Sequence, residues 1–171
     1  VGVRTLLKNL DNLIICSSYS KNFGLYSERV GCLIYHSKNM NNYSSVQSNF
    51  KKVARTIYSN PPSHGSDIVK TILSDEKLKS LWEINLNEAK NRIINMRKSL
   101  VENLVKENCS RNFEFIINQK GMFSFTGLSS DEVNQLKEKF SIYIVNSGRI
   151  NVAGVTSKNV NYIAKAISSV I

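Results

Sequence analysis

Apolar positions along this chain change their period several times, and each change predicts an element. Residues 3–10 carry a short amphipathic pattern that suits the end of a helix. Residues 13–17 (LIICS) form an apolar, partly β-branched run that predicts a buried strand, and residues 30–36 (VGCLIYH) predict a second. The polar, glycine-punctuated stretch between them reads as a loop. In residues 42–58, Val46, Phe50, Val53 and Ile57 approach helical spacing, and Asn60-Pro61-Pro62 stops that helix. Residues 68–73 predict a short helix, and Ser74-Asp75 suits the cap of the next. From Glu76 to about residue 108 runs a long stripe of Leu78, Leu81, Ile84, Leu86, Ala89, Ile93, Met96, Leu100 and Leu104, which reads as one core-facing side of a helix.

The last third alternates. Residues 113–118 (FEFIIN) and 122–126 (MFSFT) predict strands joined by a turn at Gln119-Lys120-Gly121. Ser130-Asp131 predicts the start of a helix to residue 140. Residues 141–145 and 149–152 predict two more strands, and residues 157–171 a closing amphipathic helix. The result is an α/β mixture whose character changes near Asn60, with no internal repeat and no linker rich in Pro, Gly or Ser.

Composition adds limits. With 171 residues and 42% hydrophobic positions, one compact domain or slightly more is expected. No apolar run approaches the roughly 20 residues of a membrane span, so no membrane association is expected. The 3 cysteines, Cys16, Cys32 and Cys109, are scattered, which predicts reduced, partly buried thiols rather than a disulfide framework or a zinc site. His36 and His64 stand apart from metal-ligand spacing and read as structural. The net charge of +10 raises nucleic acid as a partner. However, Lys51-Lys52 and Lys137-Glu138-Lys139 are the nearest things to clusters and acids interleave the rest, so a solvated basic surface is the reading and no nucleic-acid partner is expected.

A lysine in a polar loop is ordinarily just solvated. Lys21 differs in its company. The string Ser18-Tyr19-Ser20-Lys21-Asn22-Phe23-Gly24-Leu25-Tyr26-Ser27-Glu28-Arg29-Val30-Gly31 closely resembles the cofactor-lysine signature of class I aminotransferases, the aspartate aminotransferase branch in particular. Ser27 departs from it, since many relatives carry Asn there. Asn60-Pro61-Pro62-Ser63-His64-Gly65, the block from Gly121 to Leu128, and the block from Ser147 to Gly154 are similar to further segments of the same family, in the same order.

The resemblance implies a pyridoxal-phosphate-dependent transferase of fold type I, α/β, with residues 1–60 the C-terminal part of the large domain, 61–108 connecting helices including a long interdomain helix, and 109–171 a small C-terminal α/β domain. It implies that Lys21 forms a Schiff base with pyridoxal 5'-phosphate, and then moves the substrate Cα proton as general base and acid. Lysine suits this because its amine deprotonates readily under desolvation. Ser18 and Arg29 are implied as phosphate ligands, Arg29 as a bidentate fork. Arg149 is implied to grip the substrate α-carboxylate, Arg55 to bind the side-chain carboxylate from the neighbouring subunit of a homodimer, and Phe123 to line the pocket, with core packing its close alternative. The substrates implied are aspartate or glutamate and 2-oxo acids, and the compartment cytoplasmic, with mitochondrial as the alternative.

The family's chain is longer. Its glycine-containing phosphate turn, ring-stacking aromatic and pyridinium-pairing carboxylate have no match here, so activity is expected to be complete only in a longer parent. Strand edges and apolar surface are expected to be left uncovered. A catalytically inactive piece that keeps the small-domain fold is the alternative.

Overall fold

The computed structural model describes residues 2–171, and for Met40 the backbone alone. The chain divides into two compact units, Val1–Glu83 and Ile84–Ile171.

In the first unit, α1 (Gly2–Asn9) leads into β1 (Asn12–Ser18), which pairs antiparallel with β2 (Gly31–Ser37). The register runs from Asn12 opposite Ser37 to Ser18 opposite Gly31, so residues 19–30 leave and re-enter the ladder at one place. The resemblance implies the edge of a mostly parallel sheet, and an antiparallel edge strand is common in such sheets. Residues 13–17 are not buried as predicted. No residue of β1 is, and Ile14 is 53% exposed. Among the described residues β1 pairs with β2 alone, and a two-stranded ladder has too few neighbours to cover its faces. Partial cover comes from α2 (Tyr43–Tyr58), whose Phe50 meets the Tyr35 ring edge-on at 6.1 Å.

Helix α2 ends where Ser59 takes a left-handed φ of 64° and returns its N–H to the Arg55 carbonyl, just before the two prolines. Next, α3 (His64–Ser74) starts earlier than residues 68–73. Its first turn is polar and carries no apolar period, yet it closes through Asp67 N–H to the Ser63 carbonyl at 2.9 Å. The long helix α4 (Glu76–Lys106) is capped by Asp75, whose Oδ1 accepts the N–H groups of Lys77 and Leu78, each at 2.9 Å. Its apolar stripe does not behave as one face. Leu78, Leu81, Ile84 and Leu86 are exposed, Leu81 by 55%, while Arg97, Leu100, Val101 and Leu104 are buried.

The second unit has the core. Leu100, Val101 and Leu104 of α4 pack with Phe113, Ile116 and Leu128, with Val133 and Leu136 of α5 (Ser130–Phe140), and with Ala164, Ile167 and Val170 of α6 (Val160–Val170). Burying a leucine such as Leu100 contributes about 1.5–3 kcal/mol. A small antiparallel ladder, β3 (Phe123–Phe125) with β4 (Arg149–Asn151), places Ser124 opposite Ile150 on the buried side.

Residues 113–118 are not a strand. Glu114–Asn118 is a 3-10 turn, in which Phe113 and Ile116 share the buried side while Phe115 and Ile117 face solvent. The backbone edge of β3 that a hairpin partner would use is taken by one side chain: the Gln119 amide donates to the Phe125 carbonyl and accepts from its N–H, both at 2.9 Å. Residues 141–145 are not the strand expected of them: Ile142 and Ile144 lie against the core and Tyr143 and Val145 outward, but among the described residues they pair with no strand. The start of α5 also differs. Ser129 is the cap, in a reciprocal box with Glu132, rather than Ser130-Asp131. At the start of α6, Thr156 and Asn159 exchange side-chain-to-backbone bonds of 2.7 and 3.3 Å. Among the described residues no helix is long and apolar enough to cross a membrane, and the three cysteines are free, with Cys16 exposed.

Candidate active site

The lysine loop is shaped by contacts that its own residues dictate. As β1 ends, the Ser18 hydroxyl donates to Ser20 Oγ at 3.1 Å and accepts the Ser20 N–H. The Tyr19 N–H donates to the Val30 carbonyl, and the Phe23 N–H to the Tyr19 carbonyl, both at 3.2 Å, which closes one turn around Lys21. Arg29 holds a left-handed φ of 50° while its Nη1 donates to the Tyr26 carbonyl at 3.0 Å. The return to β2 requires glycine: a Cβ at Gly31 would stand 2.7 Å from the Ser17 carbonyl oxygen. Gly65, at the start of α3, plays the same part against Glu28 and Val30.

Ser18, Ser20, Arg29 and Gly31 line one open cleft of about 530 Å³ together with Pro61 and Ser66. Lys21 stands on the same loop but outside the residues lining that cleft. It is exposed, with Nζ 4.7 Å from the centre of the Tyr26 ring. Burial pushes the Tyr19 hydroxyl above its ordinary pKa, and the neighbouring Cys32 adds to that. Arg55 is exposed in the last turn of α2 and is not among the residues that line the cleft, whereas Tyr58 of the same turn is. A hydroxyl, a guanidinium and a primary amine on one loop are the donor set that a phosphate-bearing aldehyde takes.

In the second unit, Arg149 lies over the Phe123 ring, 5.0 Å from its centre, across the β3–β4 ladder. Both side chains are on its exposed side. Beneath them Arg97, only 3% exposed, donates from Nε to Ser124 Oγ at 3.1 Å and from Nη2 to the Gly121 carbonyl at 2.6 Å. Burial lowers its pKa from the ordinary arginine value. Gly148 O accepts both the N–H and the hydroxyl of Thr126, at 3.0 and 2.8 Å, and so sets the chain entering Arg149.

The sequence reading missed two supporting residues. Arg97 falls at helical spacing among Ile93, Leu100 and Leu104, and a cation on a core-facing stripe was the signal. Trp82, the only tryptophan, stands four residues after Leu78 and four before Leu86, on the stripe itself, and that aromatic at helical spacing was the signal.

A sequence model of the family described as aminotransferase class I and II matches residues 1–167. The chain belongs to this family. The aspartate aminotransferases of Haemophilus influenzae and Escherichia coli are 45% and 44% identical to it over 170 residues, which are 99% of this chain and 43% of each of theirs. The solved aromatic-amino-acid aminotransferase of Burkholderia pseudomallei, covalently bound to pyridoxal phosphate, is 43% identical with a TM-score of 0.92, over 98% of this chain and 42% of that one. The aspartate aminotransferase from the cytoplasm of Saccharomyces cerevisiae has the same TM-score of 0.92 at 39% identity, with 98% and 42% covered. The architecture is therefore that of the fold type I, pyridoxal-phosphate-dependent aminotransferases, and the chain spans less than half the length of these relatives.

Proposed function

We propose that the protein built on this chain transfers amino groups between L-aspartate or L-glutamate and 2-oxo acids such as 2-oxoglutarate and oxaloacetate, with pyridoxal phosphate as cofactor. The observation that supports the reading is the loop between β1 and β2, which brings Ser18 and Arg29 to one cleft and carries Lys21 on the same loop, outside the residues lining it. Ser18 and Arg29 hold a phosphate, the serine as a hydroxyl donor and the arginine as a planar fork. The Lys21 amine holds the cofactor's aldehyde carbon until substrate takes its place. With substrate in that place, the Lys21 amine would take the proton from substrate Cα onto Nζ as a base and give it from Nζ, as an acid, to the carbon that had been the cofactor's aldehyde. The bound cofactor supplies an electron sink for the charge left at Cα.

Arg149 grips the substrate α-carboxylate at two points, which orients the Cα–H bond, and Phe123 beneath it lines the pocket. Arg55 selects dicarboxylates by binding the side-chain carboxylate in a neighbouring copy, which makes the protein a homodimer. Its exposure at the end of α2 supports that reading. Residues 1–60 are the end of the large domain, 61–108 the connecting helices and 109–171 the small domain. The compartment is cytoplasmic, with a mitochondrial one as the alternative. A second reading, that this chain alone is an inactive portion, is favoured by its coverage of only 43% of the bacterial relatives and by the uncovered faces of β1.

The test is incubation with pyridoxal phosphate, reduction with borohydride, and location of the adduct by peptide mass. One stoichiometric adduct on Lys21, lost in Lys21→Ala, is expected. Labelling spread over the surface lysines would refute a formed cofactor site in this chain. Aspartate and 2-oxoglutarate should turn over only when the portion matched by the relatives beyond this chain is supplied.

A further inference from the structure

Among the described residues outside the loop that carries Lys21, one on α4 makes both a hydrogen bond and a ring contact to it. Trp82, half-buried on the second turn of α4, donates its indole N–H to the Asn22 carbonyl at 2.8 Å, on the residue directly after Lys21. Its ring stacks on Phe23 with centroids 4.6 Å apart and planes at 15°. Phe23 in turn meets the Tyr19 ring edge-on at 5.3 Å and 87°, and its N–H closes the turn onto the Tyr19 carbonyl. The carbonyl after the Lys21–Asn22 peptide is therefore held by a hydrogen bond, and the turn around it by an aromatic stack. Lys21 itself contributes little to this, since its amine meets only the open face of Tyr26. The turn continues into Gly24, whose φ of 69° and empty surroundings impose no restraint on the loop.

We propose that Trp82 is a positioning residue for Lys21: the indole holds the turn of residues 19–23, and with it the backbone that carries the amine, in one conformation before any cofactor arrives. The inference rests on the reading of Lys21 as the cofactor lysine. Its physical content is preorganisation. A short loop fixed in its reactive geometry loses little freedom on binding, whereas a loose one spends binding free energy on ordering. The indole's hydrogen bond and its ring contact both go to the lysine loop, so removing them acts there first. Phenylalanine in its place keeps a stack and loses the donor; leucine loses both.

The test uses pyridoxal phosphate with borohydride trapping on the chain and on Trp82→Phe and Trp82→Leu. The readout is the yield of adduct on Lys21 relative to that on Lys51 and Lys52, two exposed lysines of α2. Loss of the hydrogen bond should lower that ratio about fivefold in Trp82→Phe, and loss of the stack as well by about tenfold or more in Trp82→Leu. The order leucine below phenylalanine below tryptophan is the rescue that a general loss of stability would not produce at unchanged far-UV circular dichroism. An unchanged ratio in both folded variants would overturn the inference while leaving Lys21 as the cofactor lysine. No preference for Lys21 in the parent chain would overturn both. Should the variants unfold, the parent decides by itself. Trp82 is the single tryptophan, so its emission reports on this contact alone. Reduced adduct on Lys21 should quench that emission, with Lys21→Ala unquenched after the same treatment. Unquenched emission at full Lys21 labelling overturns the proposal.

Discussion

Gly148 and Gly121 share a backbone conformation but differ in their surroundings, which allows a steric cost to be isolated. Gly148 has φ +71°, and a Cβ there would lie 2.9 Å from the Leu128 carbonyl oxygen, 3.1 Å from Thr126 Oγ1 and 3.2 Å from the Leu128 nitrogen. Two of these atoms are backbone. The third is held by its 2.8 Å bond to the Gly148 carbonyl, so none can swing aside. Gly121 has φ +83° and nothing within 4 Å of its would-be Cβ. Alanine at either site meets the left-handed penalty of about 1–2 kcal/mol. At either site it also restricts the unfolded chain equally, which offsets about 0.4–1 kcal/mol. Only Gly148→Ala adds overpacking, about 1–3 kcal/mol. The assay is native-state hydrogen exchange by mass spectrometry, read on peptides covering residues 123–151. Gly148→Ala should exchange about 5- to 150-fold faster there than Gly121→Ala, the range to which the steric difference converts. Rates within about twofold of each other would refute the reasoning, because they would mean that the β3–β4 frame yields at no cost.

Two further perturbations probe the second unit. Leu100 is fully buried among Leu104, Ile116 and Leu136, and Leu100→Ala should lower the unfolding free energy by about 3–5 kcal/mol in urea titration; a loss below about 1 kcal/mol would contradict the packing. The Glu132 carboxyl is held below its ordinary pKa chiefly by hydrogen bonds from Arg111, at 2.6 and 3.2 Å. A depressed folded pKa means stability that is present above the unfolded value of about 4.3 and lost as pH falls through the folded one. Arg111 is 36% exposed, so the effect stays below about 1 kcal/mol. Glu132→Gln should flatten the acid limb of the urea midpoint against pH, and an unaltered limb would show that the pair does not contribute.

Much was legible in the sequence because it depended on local rules. The prolines after Tyr58, the Asp75 cap and the periods of α2, α4 and α6 act within a few residues, so composition along the chain was enough to place these helices. The lysine loop was legible through the resemblance of residues 18–31 to the family's signature, in which Gly31 stands where a close backbone approach admits no side chain. Tertiary structure decided the remainder. Residues 113–118 are as apolar and β-branched as a strand, but Gln119 occupies the edge of β3 with its side chain and Phe113 and Ile116 sink into the core. Residues 141–145 keep the alternation and find no partner. The stripe of α4 is continuous in sequence but buried only where the second unit packs on it. Arg97 on Ser124, and Trp82 on the Asn22 carbonyl, are contacts between segments far apart in sequence. Residue order determined which segments could be helix, loop or strand, because those preferences are local. Which strand candidates paired, which apolar faces were covered and which side chains braced the site depended on neighbours that only the folded chain supplies.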